Sequence, residues 1–203
     1  MANQKISALT ALTGANVEQL VDVVPIVDGS ASATKKILVS ELSQAMNVLG
    51  TVQATTSGTE KDFSIPAWAK EITVQLSGVS TNGTSNLQIQ IGDAGGIETS
   101  VYSSNAGGVN NSGALGTFAS PITSGYILMA VNAASSTWTG HIKLTLFEAA
   151  AFTWVASGTV FSADALYENV GVKSLSAALT TVRLTTVNGT DAFDAGKVNV
   201  IYS

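Results

Sequence analysis

The chain has 203 residues, a net charge of −5 and no cysteine. The missing cysteines exclude disulfides, thiolate nucleophiles and cysteine-based zinc sites. The acidic balance, with Lys35-Lys36 as its one basic doublet, excludes recognition of nucleic acid through a phosphate-binding patch.

Hydrophobic residues make up 45% of the chain, enough for one core plus an appendage. Charged residues make up 11%, well below the roughly 25% usual in globular proteins. Mixed charge normally keeps protein surfaces apart. A chain this poor in charge is therefore expected to hydrate its surface with Ser, Thr, Asn and Gln and to cover part of it with neighbouring subunits.

Residues 1–48 read as a docking arm. Short apolar clusters, Lys5 to Leu9, Val23 to Val27 and Thr34 to Ile37, are separated by small polar residues, and none is long enough to bury itself. The anchors are Ile6, Leu9, Val24, Ile26, Val27 and Ile37, with Lys35 and Lys36 beside them. Polar residues from Met1 to Leu20 occupy the place of a signal-peptide core, so synthesis and folding in a cytosol are expected. No run approaches the ~20 apolar residues of a membrane span. Ser40 to Met46 predicts a short helix, with Ser40 as N-cap and Glu41 in the first turn. A weaker helical pattern covers Asn16 to Val21.

Residues 49–203 change to a period of two. Apolar rows run through Ile72-Val74-Leu76, Leu87-Ile89-Ile91, Ile127-Met129-Val131, Ile142-Leu144-Leu146, Val182-Leu184 and Val198-Val200-Tyr202. Each predicts a strand with one face on a core and the other toward solvent or a partner. Turns are expected at Ser57-Gly58, Asn82-Gly83, Ser157-Gly158 and Asn188-Gly189. Gly92 to Gly116, rich in Gly, Ser and Asn, reads as a long exposed loop carrying Tyr102, Asn105 and Asn110. Leu175 to Leu179 reads as a short helix or strand. The whole predicts a mainly β protein: an extended arm with a short helix, then an antiparallel β-sandwich of jelly-roll type.

Little of this sequence supports catalysis. His141, the single histidine, falls on the polar face opposite Ile142 and reads as a surface residue. Asp191 and Asp194 could be set against a carboxylate pair. Their Gly-Thr-Asp-Ala-Phe-Asp-Ala-Gly setting matches turn formers better. Asp93 and Glu98 carry the same reading, because their glycine-rich run lacks the Lys-Ser/Thr ending of a phosphate loop. Trp68, Trp138 and Trp154 could stack on a sugar, but aromatic side chains more often fill cores and interfaces. No catalytic, cofactor or metal site is expected.

The arm resembles the N-terminal segment of tailed-bacteriophage virion proteins in its Lys5-to-Leu9 start, its Val24-to-Asp28 stretch and its Thr34-to-Ile37 segment. The second part resembles a domain of phage fibres and other virion proteins. The matching stretches are Ile65 to Trp68, Gly78 to Gly83, Gly92 to Glu98 and Val187 to Gly196. The resemblance implies a virion structural protein, foremost a trimeric capsid decoration (cement) protein docked through its arm on the major capsid protein or another virion protein. The alternative it implies is a tail-fibre or head-fibre protein that contacts a host receptor through the Tyr102, Asn105 and Asn110 loop.

Overall fold

In the computed structural model the described residues are 23–28, 33–38, 47–110, 112–113, 122–131, 133–163 and 165–203. They form fifteen strands, and no helix occurs among them. The predicted helix at Ser40 to Met46, the weaker one at Asn16 to Val21, and the anchors Ile6 and Leu9 lie outside the described residues. The chain divides into two compact units, Met1–Val48 and Leu49–Ser203.

In the first unit β1 (Val23–Asp28) pairs antiparallel with β2 (Ala33–Leu38). Val24 stands opposite Ile37, Ile26 opposite Lys35, and Val27 opposite Thr34. The extended arm thus pairs with itself: the β-branched Val23 to Val27 and the Thr34-to-Ile37 segment lie on either side of four small residues, Gly29 to Ser32, a spacing that suits a hairpin.

The second unit is built from two antiparallel sheets. Chain order gives β3 (Val48–Leu49), β4 (Gln53–Ala54), β5 (Glu60–Ser64), β6 (Glu71–Thr81), β7 (Leu87–Asp93), β8 (Gly96–Ile97) and β9 (Ser103–Asn110). There follow β10 (Tyr126–Ile127), β11 (Trp138–Glu148), β12 (Thr153–Phe161), β13 (Ala165–Ser174), β14 (Thr181–Thr186) and β15 (Phe193–Tyr202). The larger sheet has the order β3-β15-β6-β11-β12-β13-β9, with β4 also on β15. The smaller has the order β10-β7-β14-β5, with β8 on β7.

The two sheets share one core. Ile72, Val74, Ile142, Leu144, Val198 and Val200 come from the larger sheet, and Phe63, Leu87, Ile89, Ile91, Val182 and Leu184 from the smaller; all are buried. All six predicted rows supply this core, Met129 and Val131 among them, each fully buried side chain contributing about 1.5–3 kcal/mol before entropy. The Ile127-Met129-Val131 row is buried, but only Tyr126–Ile127 is strand. Gln88 and Gln90, expected on a solvated face, are buried instead. Ser124 explains this: its carbonyl accepts from Gln90 and its hydroxyl donates to Gln88 Oε1.

Three expected turns do not close hairpins. Ser57-Gly58, Asn82-Gly83 and Asn188-Gly189 each lie between a strand of one sheet and a strand of the other. They meet at one end of the unit, where they brace each other. Asn82 N–H donates to Ala192 O, Ala192 N–H to Asn82 Oδ1, and Phe193 N–H to Gly58 O. The fourth, Ser157-Gly158, is no turn: it lies inside β12, with Gly158 opposite Ile142. Leu175 to Leu179 is neither helix nor strand; Leu175 and Leu179 are buried in an irregular link between the sheets.

Candidate functional site

The Gly92 to Gly116 segment departs most from expectation. It contains β8 and β9 rather than one exposed loop, and Tyr102 is 3% exposed. Val101, before it, holds a left-handed backbone (φ 61°). That conformation is strained for a β-branched residue, and it sits where the chain turns to send Tyr102 inward. β10 pairs with β7 only at Gln88 and Ile89, and the hydroxyl of Tyr102 serves the next free amide. Ile91 N–H donates to Tyr102 Oη at 2.8 Å. The hydroxyl proton has two carbonyls in reach, Glu98 O at 3.0 Å and Ile91 O at 3.1 Å. The ring meets Tyr126 edge-on at 5.1 Å, and Tyr126 Oη donates across the core to Trp154 O at 2.9 Å.

Tyr102 is thus a buried structural hub and not part of an exposed loop. Asn105 is exposed, but it lies on strand β9. Asn110 is exposed at the end of β9, where its Oδ1 accepts from the Ser112 N–H and hydroxyl in a local turn.

A polar cluster surrounds the hub. Lys173, 4% exposed, pairs with Glu98 at 2.5 Å and lies 5.2 Å from the centre of the Tyr102 ring. Glu98 also accepts the Ser176 N–H. Asp93 accepts from the Ser176 hydroxyl and from Gly95 N–H, and these two hydrogen bonds hold its carboxyl below the ordinary carboxylate range. The cluster ties β7, β8 and β13 to the link after β13, which is a structural assignment for Asp93 and Glu98.

Burial pushes the Tyr102 hydroxyl well above the ordinary tyrosine range, and the Glu98 charge adds to the shift against the opposing bond from Ile91. Burial also raises Tyr126, with Tyr102 as a smaller cause. A folded-state pKa above the unfolded value of about 10 gives stability that is complete below that pH and lost as pH rises beyond it. We therefore expect alkaline unfolding to set in above about pH 10, with tyrosinate absorbance from these two residues appearing only as the fold opens. Tyr102→Phe should lose about 1–3 kcal/mol at neutral pH, because it strands the Ile91 N–H, and should flatten the alkaline slope. Ionisation of Tyr102 and Tyr126 in a still-folded protein would contradict this.

The other candidates are placed as follows. Asp191 accepts from Ser85 N–H at 2.9 Å and from Asn188 Nδ2 at 2.7 Å, inside the corner of crossing turns. Asp194 is exposed on β15. His141 is exposed on β11 beside buried Ile142, as the alternation predicts. Trp138 and Trp154 are 2% and 3% exposed and belong to the core, so the three tryptophans form no platform. Trp68 is 52% exposed and leans on Tyr202 at 5.7 Å. Val24, Ile26, Val27, Lys35, Lys36 and Ile37 all lie in the β1–β2 hairpin.

The sequence pattern did not reveal one surface, the outer face of β12, β13 and β9. Val155, Phe161, Leu166, Val170, Val172 and Val109 are each between 40% and 58% exposed there. Comparison of the chain with protein-family models, curated proteins and solved structures found no match.

Proposed function

We propose that this chain is a structural component of a tailed-bacteriophage particle. In this reading it is a trimeric capsid decoration protein, docked through residues 1–48 and displaying a chemically inert β domain. It would be made in the bacterial cytoplasm and end in the virion, bound to the major capsid protein or another virion protein. The observation that carries the reading is the division of the chain into a small hairpin unit and a separate β unit with its own core. A two-stranded hairpin is marginal in water on its own, so docking against another protein gives it a reason to persist.

We assign the β unit to the jelly-roll type on the strand orders. With β8–β9 and β12–β13 taken as insertions, β4-β15-β6-β11 faces β5-β14-β7-β10. Numbered along the chain, these are strands one-eight-three-six against two-seven-four-five, the arrangement of two Greek keys wound as a jelly roll. Of the two carboxylates that could have argued for hydrolysis, Asp191 is engaged in the corner of turns and Asp194 is exposed on β15; Asp93 and Glu98 are engaged in links. A fibre role is the weaker reading, since Tyr102, the aromatic it leaned on, is buried, while Asn105 and Asn110 stay exposed. Copy number separates the two: quantitative mass spectrometry of purified particles should find hundreds of copies, and a handful would assign the chain to the tail.

A further inference from the structure

β13 is built inside out. Its buried row holds Tyr167, Asn169 and Lys173, while its outer row holds Leu166, Val170 and Val172. An amphipathic strand on a solvated sheet has the reverse pattern. The neighbouring strands extend the anomaly, because antiparallel partners project to the same side. Val172 stands opposite Val155, Leu166 opposite both Phe161 and Val109, and Val170 opposite Asn105.

Gly107, opposite Glu168, leaves the β9 end of this face hollow. Open grooves of about 540 Å³ and about 530 Å³ meet at Val170 and Asn105. Strand β9 itself, Ser103 to Asn110, carries neither charge nor proline, the features that usually protect an edge strand from pairing.

Resting on the assembly reading above, we infer that this face is where copies of the chain meet, lying along the axis of the oligomer. Two quantities favour a second copy as the occupant. The first is area: six apolar side chains, each between 40% and 58% exposed, share this face, and contiguous apolar patches larger than about a few hundred Å² mark protein–protein contacts. A standard interface takes about 800 Å² from each partner, somewhat over half of it apolar, and these side chains would form its apolar centre. The second is charge. A chain of net charge −5 repels its copies unless they meet through a charge-poor surface. The outer rows of β12, β13 and β9 hold one charged residue, Glu168. The ion-paired residues Glu60, Asp62 and Arg183 lie on the smaller sheet. Ser157, Thr159 and Asn105 supply the hydrogen-bonding groups that such an interface needs around its apolar centre.

The test is light scattering of the full chain at micromolar concentration, comparing wild type, Val170→Asp and Val52→Asp. Val52 is 54% exposed and lies outside the face. The expected result is an oligomer for wild type and Val52→Asp, and a folded 20.7 kDa monomer for Val170→Asp. A folded Val170→Asp that keeps the wild-type mass, or a Val52→Asp that dissociates equally, overturns the face while the assembly reading stands. A monomeric wild type overturns both.

Since the chain has no cysteine, a second measurement does not depend on how well the aspartate is tolerated. Val170→Cys should join copies covalently with a short bis-maleimide, and Val52→Cys should not. The opposite pattern overturns the inference.

Discussion

Removing residues 1–48 should abolish attachment to the particle while leaving the β unit folded and assembled. The second unit has its own core, drawn from residues that all lie after residue 48, so among the described residues the deletion removes no core side chain and takes only Val48 of β3 from the larger sheet. What it removes is the hairpin that pairs Val24 with Ile37 and Ile26 with Lys35, together with the segments around it. Each apolar anchor that becomes fully buried on docking contributes about 1.5–3 kcal/mol, offset by ordering entropy. In the trimer proposed above, three arms would multiply the effect through effective concentration. The expected outcome is loss of at least a hundredfold in occupancy on particles lacking the protein, with the wild-type oligomer mass retained in light scattering. Full occupancy by the truncated chain would place the attachment surface on the β unit and end the division of labour proposed here.

A large single-residue effect on stability is expected at Gly158. It lies where β12 comes close to the backbone of β11: a Cβ there would stand 2.2 Å from His141 O and 2.6 Å from Ile142 Cα, both backbone atoms that no rotamer change can move aside. Its neighbour across the ladder, Gly140, is held at φ 146° with its own Cβ position 2.2 Å from Thr159 O. Gly158→Val therefore forces the two strands apart, and β13 and β9 hang from the far side of β12. We expect a loss of about 3 kcal/mol, which for a domain of this size lowers the melting temperature by roughly 6–12 °C. Differential scanning calorimetry checks it; a melting temperature within 2 °C or so of wild type would refute the close-approach argument.

Gly158 also shows where the sequence could be read and where it could not. Ser157-Gly158 has the composition of a turn, and nothing local says that this glycine serves a close strand contact instead. The core rows of β6, β7, β11, β14 and β15 were legible because each has apolar residues on one face and polar ones on the other. β12 hid because it is apolar on both faces, Trp154, Ala156 and Val160 inside and Val155 and Phe161 outside. β13 hid because its polarity is inverted. Tyr102 was misplaced because its neighbours are Gly, Ser and Asn, while the partners that bury it, Ile91 and Tyr126, lie 11 and 24 residues away. Composition points to loops; it does not say which one is tucked into the core. The bland reading of His141 needed only the local alternation.

The pairing of β4 with β15, β5 with β14 and β6 with β15 has a consequence for synthesis. The first strands of the β unit to leave the ribosome wait for partners made more than a hundred residues later, so β5 and β6 emerge with their ladders open. Such long-range closure is slow, on the order of milliseconds to seconds, and it leaves apolar strand edges uncovered during elongation. The hairpin of β1 and β2, by contrast, has both its strands as soon as it is translated. The hairpin can therefore finish before the larger unit, which stays unfinished until its last strand, β15, is delivered between β6 and β4.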